Sequence, residues 1–360
     1  MKKALASILA LVFCLSLIAG CGGSSGSDTT SGATSGTASG DTSSGTAAPG
    51  DSKEVYAFSV AHSSAEDTSV NLACIAMCDY LESTGRFTTS IYPAGQLGAD
   101  REAIEGVQNG DIQMCATSPA PQANFVPAIQ IYDVPFACPD LDSARALNTN
   151  EDFLTILRQA YSDKGFYLGA ITDMTFRILT TRNLEVHTPA DLKNFNVRTM
   201  ENANHMLIWS SIGANPTPIA FTELYTALQQ GTVDGQENAL ELAVTQKFYE
   251  QQHFAIMTNH LIHAIAWPVN LDWYNGLDAE AKEIFDNGMQ KAIDEQKSVV
   301  DENQQYYRDY CNDNDCQVID LTADELLAFR DITQPCYTNI QDKLNTDGYG
   351  ELYTTFMDII

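Results

Sequence analysis

Apolar and polar positions divide the chain into three regions. Ala4 to Ile18 is one apolar run. Residues 22–50 are almost entirely Gly, Ser, Thr and Ala, and a patterned region begins near Val55. There, apolar runs bounded by turn residues predict strands at Val55–Val60, Phe87–Tyr92, Gly110–Cys115, Phe166–Ile171 and Phe176–Thr181. Between them, a helix over Asp67–Thr84 carries Val70, Cys74, Met77 and Leu81 on one face, and others are predicted near Asp100–Gln108 and Ser143–Ser162. Strands alternating with helices imply a parallel sheet covered on both faces, an α/β fold. Phe195, Val197 and Thr199 alternate as in a further strand, preceded by a helix start at Thr188-Pro189 with Asp191 behind it. A helix from near Thr222 stops at Gly231, and V-D-G-Q-E-N (Val233–Asn238) reads as a turn dense in hydrogen-bonding side chains. Another helix is predicted at Ala239–Tyr249, then an apolar stretch at Ile262–Asn270.

The longest helical signal runs from Asp278 to about Tyr310. It has no proline, a stripe through Phe285, Met289, Ile293, Val300 and Tyr307, and Gly288 as its one break in propensity. At 1.5 Å per residue it spans on the order of 50 Å, more than one lobe. Gln317–Leu321 is a short strand, and Thr322 with Glu325 forms a capping box for a final helix.

Charge narrows the partners. A net charge of −28 excludes a nucleic-acid or anionic-membrane surface. It leaves anionic ligands open, because one desolvated arginine outweighs distant charges screened by salt. Lys2 and Lys3 ahead of the short apolar run make residues 1–20 an export signal. Its end, Leu17-Ile18-Ala19-Gly20-Cys21, resembles a bacterial lipoprotein cleavage box, which implies lipidation of Cys21. Residues 21–51 then form a flexible tether, too poor in apolar groups to fold. The rest is long enough for two lobes with separate cores.

No nucleophile elbow, P-loop or dinucleotide fingerprint is present, so an enzyme is not expected. His260 and His263 have the spacing of a metal pair on a helix, but no metalloprotease glutamate or third ligand accompanies them; a structural role is expected, with no metal or cofactor. Cys311 and Cys316 flank N-D-N-D, a spacing that allows a small disulfide loop, whereas Cys74 and Cys78, one helical turn apart, suit buried thiols.

Arg198, at the end of its strand, points away from the apolar neighbours, where open α/β sheets place ligands. Its planar fork of donors matches a carboxylate. As an arginine facing an open cleft it would add little to the unliganded core. His62, Ser63 and Ser118 fall at strand ends in the first lobe, where clefts take ligand contacts. Glu201, three residues after Arg198, would repel an anion unless it accepts hydrogen bonds from ligand hydroxyls or an amine. Trp209, Trp267 and Trp273 are core candidates, Trp267 also a candidate cleft wall.

Four stretches together, Tyr92–Met114, V-R-T-M-E-N, Gly213–Asn238 and F-Y-E-Q-Q-H-F-A-I-M-T-N-H, resemble the solute-binding receptors of tripartite ATP-independent periplasmic (TRAP) transporters in order and spacing. The likeness covers nearly the whole chain after the tether. It implies a two-lobed periplasmic-binding-protein-like fold with a long interlobe helix. Lobe I would hold residues 52–174 with 264–303, and lobe II 175–263 with 304–360. It also implies ligand roles for Arg198, Arg177, Asn238 and Phe221, with TRAP membrane subunits as partners. The ligand expected is a small organic acid, a sugar acid such as a hexuronate before a C4-dicarboxylate. M-E-N beside the arginine resembles receptors of the sugar-acid kind. Alternatives are the binding protein of an ATP-driven importer, a sensory receptor or a secreted enzyme.

Overall fold

The computed structural model describes residues 53–360; the export signal, the tether and Cys21 lie outside the described residues. Nine strands form one sheet: β1 (Tyr56–Ala61), β2 (Phe87–Tyr92), β3 (Met114–Cys115), β4 (Phe166–Thr181), β5 (Asn196–Thr199), β6 (Asn215–Pro218), β7 (Gly235–Ala239), β8 (Phe254–Asn270) and β9 (Gln317–Asp320). Their order is β2-β1-β3-β8-β4-β7-β5-β6, with β9 on β8. The β1–β2, β1–β3, β5–β6, β5–β7 and β8–β9 pairs are parallel, as strand–helix alternation requires.

The two strands read from the sequence on either side of Asp173 are one. β4 runs 16 residues and pairs antiparallel with the 17-residue β8 from Phe166↔Asn270 to Thr181↔Phe254. The register shifts between Asp173 and Phe176, where Thr175 takes a φ of 73°. Such a bulge breaks the apolar alternation without ending the strand, which is why the sequence reads as two pieces. Both strands therefore cross from one lobe to the other.

The first lobe buries two apolar clusters. One centres on Val126–Val134, Phe153, Leu157 and Tyr161, the other on Phe58, Val60, Val70, Met77, Leu81 and Trp267. The second lobe closes around Val197, Ile208, Trp209 and Phe329, with a satellite at Leu224, Leu228 and Phe248. The long helix is Ala279–Asp313, capped by the Asp278 carboxylate on the Ala281 N–H at 2.8 Å. Phe285, Met289 and Ala292 pack in the first lobe, while Tyr307 and Cys311 pack with Ile178 and Val244. Gly288 sits where a Cβ would lie 2.9 Å from Leu81 Cδ2, so helix propensity yields there to close packing on the Ser69–Ser83 helix.

Several boundaries differ from the sequence reading. β3 is only two residues long, and Ser143–Ser162 is two helices, Leu141–Asn148 and Glu151–Ser162, parted where Asn150 caps the second. The helix after Asn238 is Leu240–Thr245, and Thr188–Asp191 opens a single 3-10 turn. The capping box at Thr322 starts the first of three C-terminal helices, not the last helix. The assignment of 304–360 to lobe II is corrected at its end. Ile340, Leu344, Leu352, Tyr353 and Phe356 pack into the first-lobe core, because an amphipathic helix carries no local mark of the surface to which it returns. All seven cysteines of the described residues are free thiols, Cys311 and Cys316 included, and Cys74 and Cys78 are buried.

Candidate functional site

The segment read as a polar turn is β7, a central strand buried along its whole length. Polar groups survive there because each finds a partner. Arg177 on β4 donates from Nε and Nη2 to the Glu237 carboxylate, and from Nη2 to Asn238 Oδ1 at 2.9 Å. Asn238 Nδ2 donates to Gln236 Oε1 at 2.6 Å, and Gln236 Nε2 to Thr180 Oγ1 at 2.8 Å. His260 Nε2 lies 3.1 Å from Glu237 Oε2. Burial would raise the Glu237 carboxyl, but Arg177, His205 and His260 outweigh it and hold it well below the ordinary range. At Gly235 a Cβ would stand 2.2 Å from the Thr180 carbonyl oxygen, so only glycine admits β4 this close.

Arg198 on β5 is not in an open cleft; it is 1% exposed. Its Nε donates to the Ile219 carbonyl at 2.8 Å, its guanidinium lies 6.0 Å over the Phe221 ring, and buried Nη1 has no partner. Desolvation pulls its pKa down to about 10, against the pull of Glu237, Asp100 and Glu201 and with the push of Arg177. Arg177, likewise buried, also leaves its Nη1 without a partner.

A small cavity lies at this end of the sheet, lined by Ser63, Ser64, Asp100, Thr117, Ser118, Phe221, Asn238 and His263 among others. The Ala239 N–H donates to His263 Nδ1 at 3.2 Å, so His263 Nε2 carries the proton toward Ser118 Oγ, 3.0 Å away. Burial first, then Arg177, keeps this imidazole neutral, well below its ordinary pKa. Ser63 Oγ donates to Asp100, whose carboxyl is raised by burial and pulled back by Ser63 and Arg198. The cavity thus offers hydroxyls, an amide and a neutral imidazole beside one carboxylate.

Among the expected residues, Ser63, Ser118, Phe221 and Asn238 line this cavity, with Arg198 against Phe221. Arg177 borders an adjoining small void with Ser118 and His263, its charge committed to Glu237. His62 stands behind, Nε2 3.1 Å from Asn71 Oδ1, its pKa lowered to about 4 by burial. Glu201 is exposed, and its carbonyl accepts from Asn124 Nδ2 at 3.1 Å. Trp267 is fully buried in the first-lobe core, donating to Thr172 Oγ1 at 2.9 Å, and does not border the cavity. His260 and His263 lie on β8, not on a helix, and among the described residues no group of three His, Cys, Asp or Glu could hold a metal ion. The sequence reading missed Asp100. Its only mark was its place at the first turn of a helix following a predicted strand.

Two lobes joined by shared strands and a bridging helix, with a buried arginine beside a polar cavity, define a solute-binding receptor fold. Residues 60–344 match the family described as bacterial extracellular solute-binding protein, family 7, and the chain belongs to it. A solute-binding protein of Verminephrobacter eiseniae is 35% identical over 61% of this chain and 65% of its own length. The 2,3-diketo-L-gulonate-binding periplasmic protein of Escherichia coli is 30% identical over 65% of this chain and 71% of its own. Among solved structures, a TRAP periplasmic solute-binding protein from Polaromonas sp. JS666, bound to D-erythronate, superposes with a TM-score of 0.78 at 29% identity, over 84% of this chain and 98% of that one. The chain is therefore a TRAP-type extracytoplasmic solute receptor and not an enzyme. Among the described residues no helix is long and apolar enough to cross a membrane.

Proposed function

We propose that this receptor captures a sugar acid, a hexuronate or close relative, and delivers it to TRAP membrane subunits while held to the membrane by a lipidated Cys21. The observation that carries the ligand reading is the state of the two site arginines. Each arginine keeps a buried Nη1 without a partner, but Arg177 is paired with the Glu237 carboxylate whereas Arg198 bonds only the Ile219 carbonyl, which leaves Arg198 as the cation for one ligand carboxylate. Ser63, Ser118, Asn238 and Asp100 suit the hydroxyls of a polyol chain, and Asp100 disfavours a second carboxylate. The ligands named for the Polaromonas structure and the Escherichia coli relative, both sugar acids, support it. A C4-dicarboxylate is the second reading, favoured by a 27% identical C4-dicarboxylate-binding protein of Rhodobacter capsulatus, and it needs a second free cation.

A thermal-shift screen of D-glucuronate, D-galacturonate, D-erythronate and succinate tests the choice. A ligand at 100 times its Kd adds about 2.7 kcal/mol to stability. Succinate stabilising the protein more than every sugar acid would overturn the reading. For the anchor, wild type should partition into detergent and Cys21→Ser should not; equal partitioning refutes it.

A further inference from the structure

Beside the cavity lies a cluster of buried charges, in which Asp133 and His205 border the small void that Ser118 and Arg177 also line. Asp133 ends a first-lobe 3-10 turn, Pro127–Asp133, and is 1% exposed. Its Oδ2 accepts from Asn202 Nδ2 and Asn204 Nδ2, both at 2.9 Å, and its Oδ1 lies 3.2 Å from His205 Nε2. All three partners belong to the N-terminus of the second-lobe helix Ala203–Ile212. Asn202 also caps that helix, its Oδ1 accepting from the Asn204 and His205 N–H groups. On the far side of the imidazole, Nδ1 lies 3.5 Å from Glu237 Oε1. One ring thus stands between two carboxylates on opposite lobes, 2% exposed. Nε2 makes the hydrogen bond and Nδ1 faces Glu237 at charge-pair distance without one; only the cation carries an N–H toward each carboxylate.

The segment fixed in this way is Arg198–Glu201, which leads directly from β5 into Asn202. It contains the ligand arginine and Met200, which lines the cavity. We propose that Asp133 and His205 form an interlobe strut that positions the Arg198–Glu201 segment for ligand. His205 is the cation shared between Asp133 and Glu237, a positioning residue rather than a ligand contact. Nothing in the receptor assignment requires it, and only its binding assay rests on the sugar-acid reading.

Burial alone would lower His205, but the hydrogen bonds and charges of Asp133 and Glu237 raise it to about 9. The other ionisable groups facing the cluster are Arg177 on β4 and His260 on β8. Lys343 on the Gln334–Thr346 helix reaches it through Asn204 Oδ1 at 2.7 Å. With the folded value above the ordinary 6.5, the strut's contribution is complete below that pH and is lost as pH rises through about 9.

The test uses the full chain. Nitrogen-15 spectra at pH 7.5 should show a histidine with both ring nitrogens protonated that disappears in His205→Gln. Its titration midpoint should fall in Asp133→Asn, a near-isosteric change that keeps the fold if His205→Gln does not. Calorimetric titration with D-glucuronate should show wild-type affinity falling about tenfold between pH 7.5 and 9.5, a modest coupling by the standards of linked sites. His205→Gln should already be about tenfold weaker at pH 7.5 and flat across that range. A His205 that is neutral at pH 7.5, or a His205→Gln protein with wild-type affinity and pH profile, overturns the strut. If wild type does not bind D-glucuronate, the nitrogen-15 result alone decides the strut, and the sugar-acid reading is judged by the thermal-shift screen.

Discussion

Arg198→Met removes the guanidinium but keeps most of the side chain's volume, and the structure sets the size of both effects. A guanidinium held by burial at about 10 carries a penalty of about 3 kcal/mol in the unliganded fold. Methionine relieves it. Against that stand the Ile219 carbonyl left without its donor, about 1–2 kcal/mol, and the lost face of Phe221, about 0.5–1 kcal/mol. The balance is an unliganded protein as stable as wild type or more stable by about 1 kcal/mol. A ligand carboxylate deprived of its partner should lose about 2–5 kcal/mol of binding. Arg198→Lys restores charge without the fork and should recover part of that affinity, with a broader choice of acids. Urea unfolding without ligand and calorimetric titration with D-glucuronate measure the two quantities. An unliganded midpoint that drops by about 3 kcal/mol, as for a core truncation, would refute the reasoning and make Arg198 a structural residue.

Glu237→Gln leaves Arg177 buried without its carboxylate and should destabilise the fold by about 3–5 kcal/mol; an unchanged urea midpoint would contradict the pairing. Glu241, which accepts from the Ser69 N–H and Oγ at the start of the Ser69–Ser83 helix, is raised to about 7 by desolvation against those bonds. Being raised, its carboxyl favours the fold at low pH and penalises it as pH rises through 7. Stability should therefore increase between pH 8 and 5.5 in wild type, and Glu241→Gln should flatten that limb of a melting-temperature profile. Asp100→Asn removes the carboxylate facing the ligand and should narrow the affinity gap between D-glucuronate and succinate by about tenfold, measured by competition.

Much of the architecture was legible because its signals are local. The Ser69–Ser83 helix carries its buried face at helical spacing, and the long helix shows cap, stripe and stop in sequence. The errors share one physical cause, which is that tertiary partners decide them. G-Q-E-N-A looks like a turn because nothing in the segment announces Arg177, His205 and His260, the groups that make its burial tolerable. Thr175 hides a continuous strand behind one bulge. In the site, Arg198, Asn238, Ser63 and Ser118 could be nominated from strand ends and resemblance. That Arg198 is buried, that Arg177 is already neutralised, and that Asp100 joins the cavity depend on contacts between residues far apart in the chain.

The packing of Leu352, Tyr353 and Phe356 into the same core as Ala61 and Ile104 also sets a clock. A core begun near residue 61 is completed late in synthesis, since one of its walls is made only when residues 350–359 are translated. Domains whose ends meet in this way cannot settle piecemeal behind the ribosome.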